Sequence, residues 1–199
     1  MESVASGANP YARAEQALGR IEGRLDPAYD VVKLGRMSLG DAPVSFASTA
    51  VGATLRLLAG PDVSERGSKA IGHAGLAADG LFRGLLYTGG LLHGAAAAKV
   101  PWLVVPRAAP AGFAGIAGTL SKVATFGRLA LLGIGGALGA LRSANAIAKA
   151  GSFDALLNTR DGRGGALQAV GSVLLMVKHP LTMLAGAGVF GLAIANEFM

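Results

Sequence analysis

The sequence predicts an all-α fold: a helical, membrane-associated protein with Gly-rich apolar helices. Three observations predict it. Apolar residues recur at helical spacing between Gly and Pro punctuation, with no sustained alternation of the kind a half-buried strand needs. Of 199 residues, 52% are hydrophobic and 15% charged, where a soluble domain carries about 25% charged residues. The mean hydropathy is +0.49, and the 31 glycines show no three-residue period, which excludes collagen. Low charge with high apolarity excludes disorder, and the lack of Cys excludes a disulfide scaffold.

The chain divides at residue 69 into amphipathic N-terminal helices (1–69) and a Gly/Ala-rich membrane-associated region (70–199). After a polar start ending at Pro10, Leu18, Ile21 and Leu25 predict a helix over 11–25, which Asp26-Pro27 stops. A second helix over 28–39 places Ala28, Val31, Val32, Gly35 and Leu39 on one face and Asp30, Lys33 and Arg36 off it. Asp41-Ala42-Pro43 starts a third, over 42–59, whose single charge is Arg56, and Gly60-Pro61 ends it. A polar linker, 62–69, leads to a long Gly-studded helix over 70–98. Lys99 to Pro110 is a Pro-rich boundary carrying Trp102, placed as a membrane-interface anchor is placed.

Residues 111–150 predict a helix with a break, holding eight glycines in an Ala/Leu background. Gly135 and Gly139 form a small-xxx-small pair, and Gly133 extends the zipper toward Ala137. Small residues four apart let helix backbones approach closely, which matters most in lipid. In water each helix-interior Gly costs about 1 kcal/mol relative to Ala. Arg128 and Arg142 flank the charge-free run 129–141 and are expected to snorkel outward. Residues 151–165 read as a loop, and 166–196 as an apolar helix kinked at Lys178-His179-Pro180, with Ala187 and Gly191 as another packing pair. Neither 84–98 nor 181–196 reaches the roughly 20 residues of a comfortable span, although borrowing Val173 to Val177 through the kink would lengthen the latter.

Charge is unevenly placed. Residues 80–153 hold seven bases (Arg83, Lys99, Arg107, Lys122, Arg128, Arg142 and Lys149) and no acid. Basic charge in an apolar, Gly-rich setting favours an anionic lipid membrane as partner. Nucleic acid is not expected, because the bases are scattered singly and stacking aromatics are few. No secretory signal or lipidation motif is expected at the ends. His73, His93 and His179 lack metal-site spacing, and there is no nucleophile elbow or P-loop. Gly133 to Leu138 misses the third Gly of a dinucleotide loop. An enzyme is not expected, and no cofactor or metal is assigned.

The step Lys33-Leu34-Gly35-Arg36 resembles the early basic amphipathic helix of the peroxin-11 family, which elongates peroxisomal and glycosomal membranes. The order of helices, 28–39, 42–59, 76–98 and 181–196, is also similar, although Tyr29-Asp30 stand where that family has a basic pair. The resemblance implies membrane shaping by insertion of a helix into one leaflet, in organelle proliferation, with Val31, Val32, Lys33, Gly35, Arg36, Leu39 and Trp102 at the interface. It also implies a homo-oligomer, a peroxisomal or glycosomal membrane location, and delivery by the peroxisomal membrane-protein import receptor, which would read 99–107 or 122–128. Two other readings stay open. One is a bacterial pore-forming or holin-like membrane-perturbing protein; the other is a soluble helical adaptor.

Overall fold

The computed structural model describes residues 9–38, 43–60, 63–96 and 114–199. Among these the chain is all-helical, with no strand. The helices are α1 (Pro10–Ser38), α2 (Pro43–Ala59), α3 (Glu65–Ala96), α4 (Ala114–Ala150), α5 (Ala155–Asn158), α6 (Arg160–Met176) and α7 (Pro180–Phe198).

Five expected boundaries are corrected. Pro27 does not end a helix: α1 runs through it. Proline removes one backbone donor and crowds the preceding turn, but packing on both sides of it holds α1 straight along α4. Asn9 bonds Asn145 at 2.7 Å, Glu22 reaches Gly135, and Tyr29 lies over Gly127. This descending register makes the pair antiparallel. The polar linker is largely the first turn of α3, where Lys69 donates to Glu65 at 2.6 Å. The helix over 114–150 has no break. The expected loop 151–165 is mostly helix: Thr159 caps α6 by accepting from Gly162 N at 3.0 Å.

The fifth correction is the largest. Residues 166–196 are two helices folded back on each other, and borrowing Val173 to Val177 does not lengthen α7. Gly164 meets Asn196, Gly171 meets Phe190, and Leu175 meets Gly186. The same register logic pairs α4 with α6 and α3 with α7. Helices α3, α4, α6 and α7 therefore form an up-and-down bundle, with α1 against α4 and α2 against α3. Segments on both sides of residue 69 share these contacts.

The core is small. Leu132, Leu175, Met183, Phe190 and Ala193 are buried together, with Leu76, Ala77, Leu167 and Met176 packed around them. Glycine sets the helix separation at one crossing above all. A Cβ on Gly139 would lie 2.5 Å from Gly165 O and 2.7 Å from Ala169 N, and one on Gly165 would strike Gly139 O. The backbones of α4 and α6 touch there, which only glycine allows on both sides.

Candidate functional site

Two features distinguish the surface: a belt of exposed apolar side chains and a charged bundle end. They follow from the antiparallel register. The C-terminus of α4, the N-termini of α3 and α6, and the C-terminus of α7 meet at one end. The other end gathers the second half of α3, the first half of α4, the end of α6 and the start of α7.

On that second half, side chains that could have packed inward point out. Leu81 and Leu85 on α3, Val123 and Phe126 on α4, Val173 and Val177 on α6, and Leu181 on α7 are all exposed, Phe126 at 74% and Leu181 at 68%. Isolated exposed leucines are ordinary, but a belt shared by four helices at one height marks a surface that meets something apolar. Two helices, Lys122–Ala150 and Pro180–Phe198, are long and apolar enough to cross a membrane, and only 33% of each apolar window is buried. A soluble core helix of that composition would be mostly buried.

Charges near the belt turn inward, correcting the expectation that Arg128 and Arg142 snorkel. Arg128 Nε donates to Asp79 Oδ2 at 2.9 Å, and Arg83 Nε grips both oxygens of the same carboxylate at 2.9 and 3.0 Å. Arg142 is buried at the charged end. Its Nε and Nη2 donate to Asp161 Oδ1 at 3.1 and 2.9 Å, and its Nη1 donates to Glu197 Oε1 at 3.1 Å. Asn196 continues the network, accepting from Arg163 Nε at 3.0 Å and donating to Arg160 O at 3.0 Å. Ser143 Oγ donates to Gly162 O at 2.9 Å. Partial burial pushes the Asp161 carboxyl up, but the hydrogen bond and charge of Arg142 outweigh it and hold the group below the usual carboxylate range. The Lys69 ammonium does the same for exposed Glu65.

These pairs shrink the electrostatic case for anionic lipid. Of the seven bases in the acid-free stretch, Arg83, Arg128 and Arg142 are engaged inside the bundle, and Lys99 and Arg107 lie outside the described residues. Lys122 and Lys149 are exposed.

The predicted interface residues are placed unevenly. Val31 is exposed at 67% on α1, and Val32 is half-buried. Lys33, Gly35 and Arg36 lie on α1, with side chains outside the described set, and Leu39 and Trp102 fall outside the described residues. Among the packing residues, Gly139 meets Gly165, Gly135 faces Ser172 and Glu22, and the methyl of Ala187 packs beside Gly80. Gly133 is exposed with only Met176 near it, and Gly191 faces open space. Sequence reasoning missed the two ion networks and the far side of the zipper. Gly162, Gly164 and Gly165 carried a signal in their spacing, but a Gly-rich polar stretch reads first as loop.

His73 is buried with its ring 5.6 Å from that of Phe190. Among the described residues no group of three or more His, Cys, Asp or Glu is arranged to hold a metal. No protein-family model, curated protein or solved structure matches the chain. The likeness to peroxin-11 proteins therefore rests on the Lys33–Arg36 step alone, since the expected helix over 28–39 belongs to α1.

Proposed function

We propose that the chain is a non-enzymatic membrane protein whose bundle sits in lipid and deforms the bilayer around it. One observation carries this reading: an apolar slab shared by several helices at one height and bounded by charge. Along α6 and its C-cap the fourteen residues 164–177 are uncharged, and on α7 the sixteen residues 181–196. At 1.5 Å per residue these runs measure about 20–24 Å, against a hydrocarbon core of about 30 Å. Lys122 and Lys178 cap one end, exposed, and the Arg142 network closes the other. A slab thinner than its bilayer is accommodated by local thinning of the lipid, by snorkelling of flanking residues or by association of copies.

Val31 is exposed on α1, but α1 runs antiparallel along α4, so the one-leaflet insertion that the peroxin-11 resemblance implies requires the end of α1 to leave α4. Insertion of such a helix into one leaflet favours curvature of the same membrane. Peroxisomal or glycosomal membrane is the host that resemblance names.

The test is flotation and imaging of the full-length chain with liposomes of short and long acyl chains. The chain is expected to float with both, to prefer the thinner bilayer, and to tubulate or thin the thicker one. Phe126→Asp with Leu181→Asp, both outward, should abolish flotation without unfolding the bundle. A monodisperse, non-floating chain in detergent-free buffer would overturn the reading and favour the adaptor.

A further inference from the structure

The charged end of the bundle holds a half-open cavity of about 370 Å³ between the start of α3, the end of α4 and the start of α6. Its lining holds five cationic and four carboxylate side chains, which sort by partner. Lys69 is paired with Glu65, and Arg142 with Asp161 and Glu197. Glu15 accepts from the Asn145 amide at 3.4 Å. Arg66, Lys149 and Arg160 make no ion pair with any described residue. Arg160 Nε is moreover buried with no acceptor. Such a donor is uncommon in folded proteins; sealed from solvent, it does not itself face the cavity, which the half-buried Arg160 side chain lines beside exposed Arg66 and Lys149.

We infer that this cavity is a phosphate-binding site, in which Arg160, with Arg66 and Lys149, takes a phosphate group that is free or carried by a lipid headgroup. The donor set fits that chemistry. Three cations without ion pairs lining one cavity match an acceptor with several oxygens and more than one negative charge. A lone carboxylate offers two oxygens and one charge. Guanidinium forks bind phosphate oxygens in pairs, and the lysine adds a mobile point charge. Arg142, held by its two carboxylates, frames the cavity without being available to the ligand. The inference does not rest on the membrane reading, because the same cluster takes inorganic phosphate in water.

The experiment is calorimetric titration of the full-length chain in a neutral detergent with inorganic phosphate and with glycerol 3-phosphate, acetate serving as control. Saturable binding of at least one phosphate probe is expected, with acetate weaker by about tenfold or more. Arg160→Gln and Lys149→Gln should each weaken phosphate binding about tenfold or more, the loss expected for one charge-assisted contact. Lys149 is exposed, so its variant keeps the test decisive if Arg160→Gln disturbs the fold. Short-chain phosphatidylglycerol that displaces phosphate would identify a lipid headgroup as the ligand; phosphate binding that it leaves intact would identify the free ion. Either result supports the site. No saturable binding of either phosphate probe, acetate binding as tight as phosphate, or binding untouched by Lys149→Gln would overturn it. Flotation reads the membrane proposal separately, since it depends on Phe126 and Leu181 rather than on these cations.

Discussion

The two ends of the bundle hold buried charge in opposite ways. At the charged end one guanidinium, Arg142, serves two carboxylates, Asp161 and Glu197, from two other helices. At the apolar end one carboxylate, Asp79, serves two guanidiniums, Arg83 on its own helix and Arg128 on α4. The first arrangement is a knot: removing its single cation leaves buried Glu197 without a counter-charge, while Asp161 is exposed to water. The second is redundant, because Asp79 keeps a partner if either arginine is lost. Both turn charge inward; at the apolar end the pairing makes an exposed belt of valine, leucine and phenylalanine compatible with three charged residues.

The largest expected effect breaks the knot. Arg142→Met leaves Glu197, whose side chain is 1% exposed, without a counter-charge, and should cost about 3–5 kcal/mol in equilibrium unfolding. Arg128→Met should cost less, about 1–3 kcal/mol, since Arg83 stays on Asp79. Equal losses would erase the distinction between the ends. Next comes the α4–α6 crossing. Gly139→Val drives side-chain atoms into the backbone of α6 and should cost about 1–3 kcal/mol or more, read as a lowered unfolding midpoint.

A smaller effect separates the ends by pH. Because Asp161 titrates below its usual range in the folded chain, its pairing stabilises the fold fully above the unfolded value of about 3.9. That contribution is lost as pH falls through the folded value. Hydrogen exchange in the first turn of α6 should therefore rise below about pH 4 before exchange at the Gly80–Met183 contact does. Asp161→Asn should remove that difference. The smallest effect is at Gly191, which faces open space. Gly191→Ala should leave the fold unchanged or stabilise it by up to about 1 kcal/mol, and a marked loss would show that this position packs against something in the assembled protein.

Helix content was legible because apolar spacing is a local property. Two of the boundaries that went astray turned on a proline with two meanings. Proline at 27 reads as a stop and is carried by packing; proline at 180 reads as a kink and is the first residue of a new helix after a reversal. The zipper half on α4 shows in the Gly135–Gly139 spacing, but its partner depends on which segment folds back. The ion networks were invisible for a related reason. Arg142 and Glu197 lie 55 residues apart, so no local pattern ties them, and an arginine flanking an apolar run looks the same whether it turns out to water or in to a carboxylate.

The short reversal between α6 and α7 carries a consequence for topology. Only residues 177–179 separate the two helices, too few to carry the chain across lipid without turning back. In a membrane, the Gly151 turn after α4, the start of α6 and the far end of α7 must then open to the same compartment, and Lys178 to the opposite face. The hairpin would enter as one unit, and a label at Ser152 would report the same sidedness as one near Phe198.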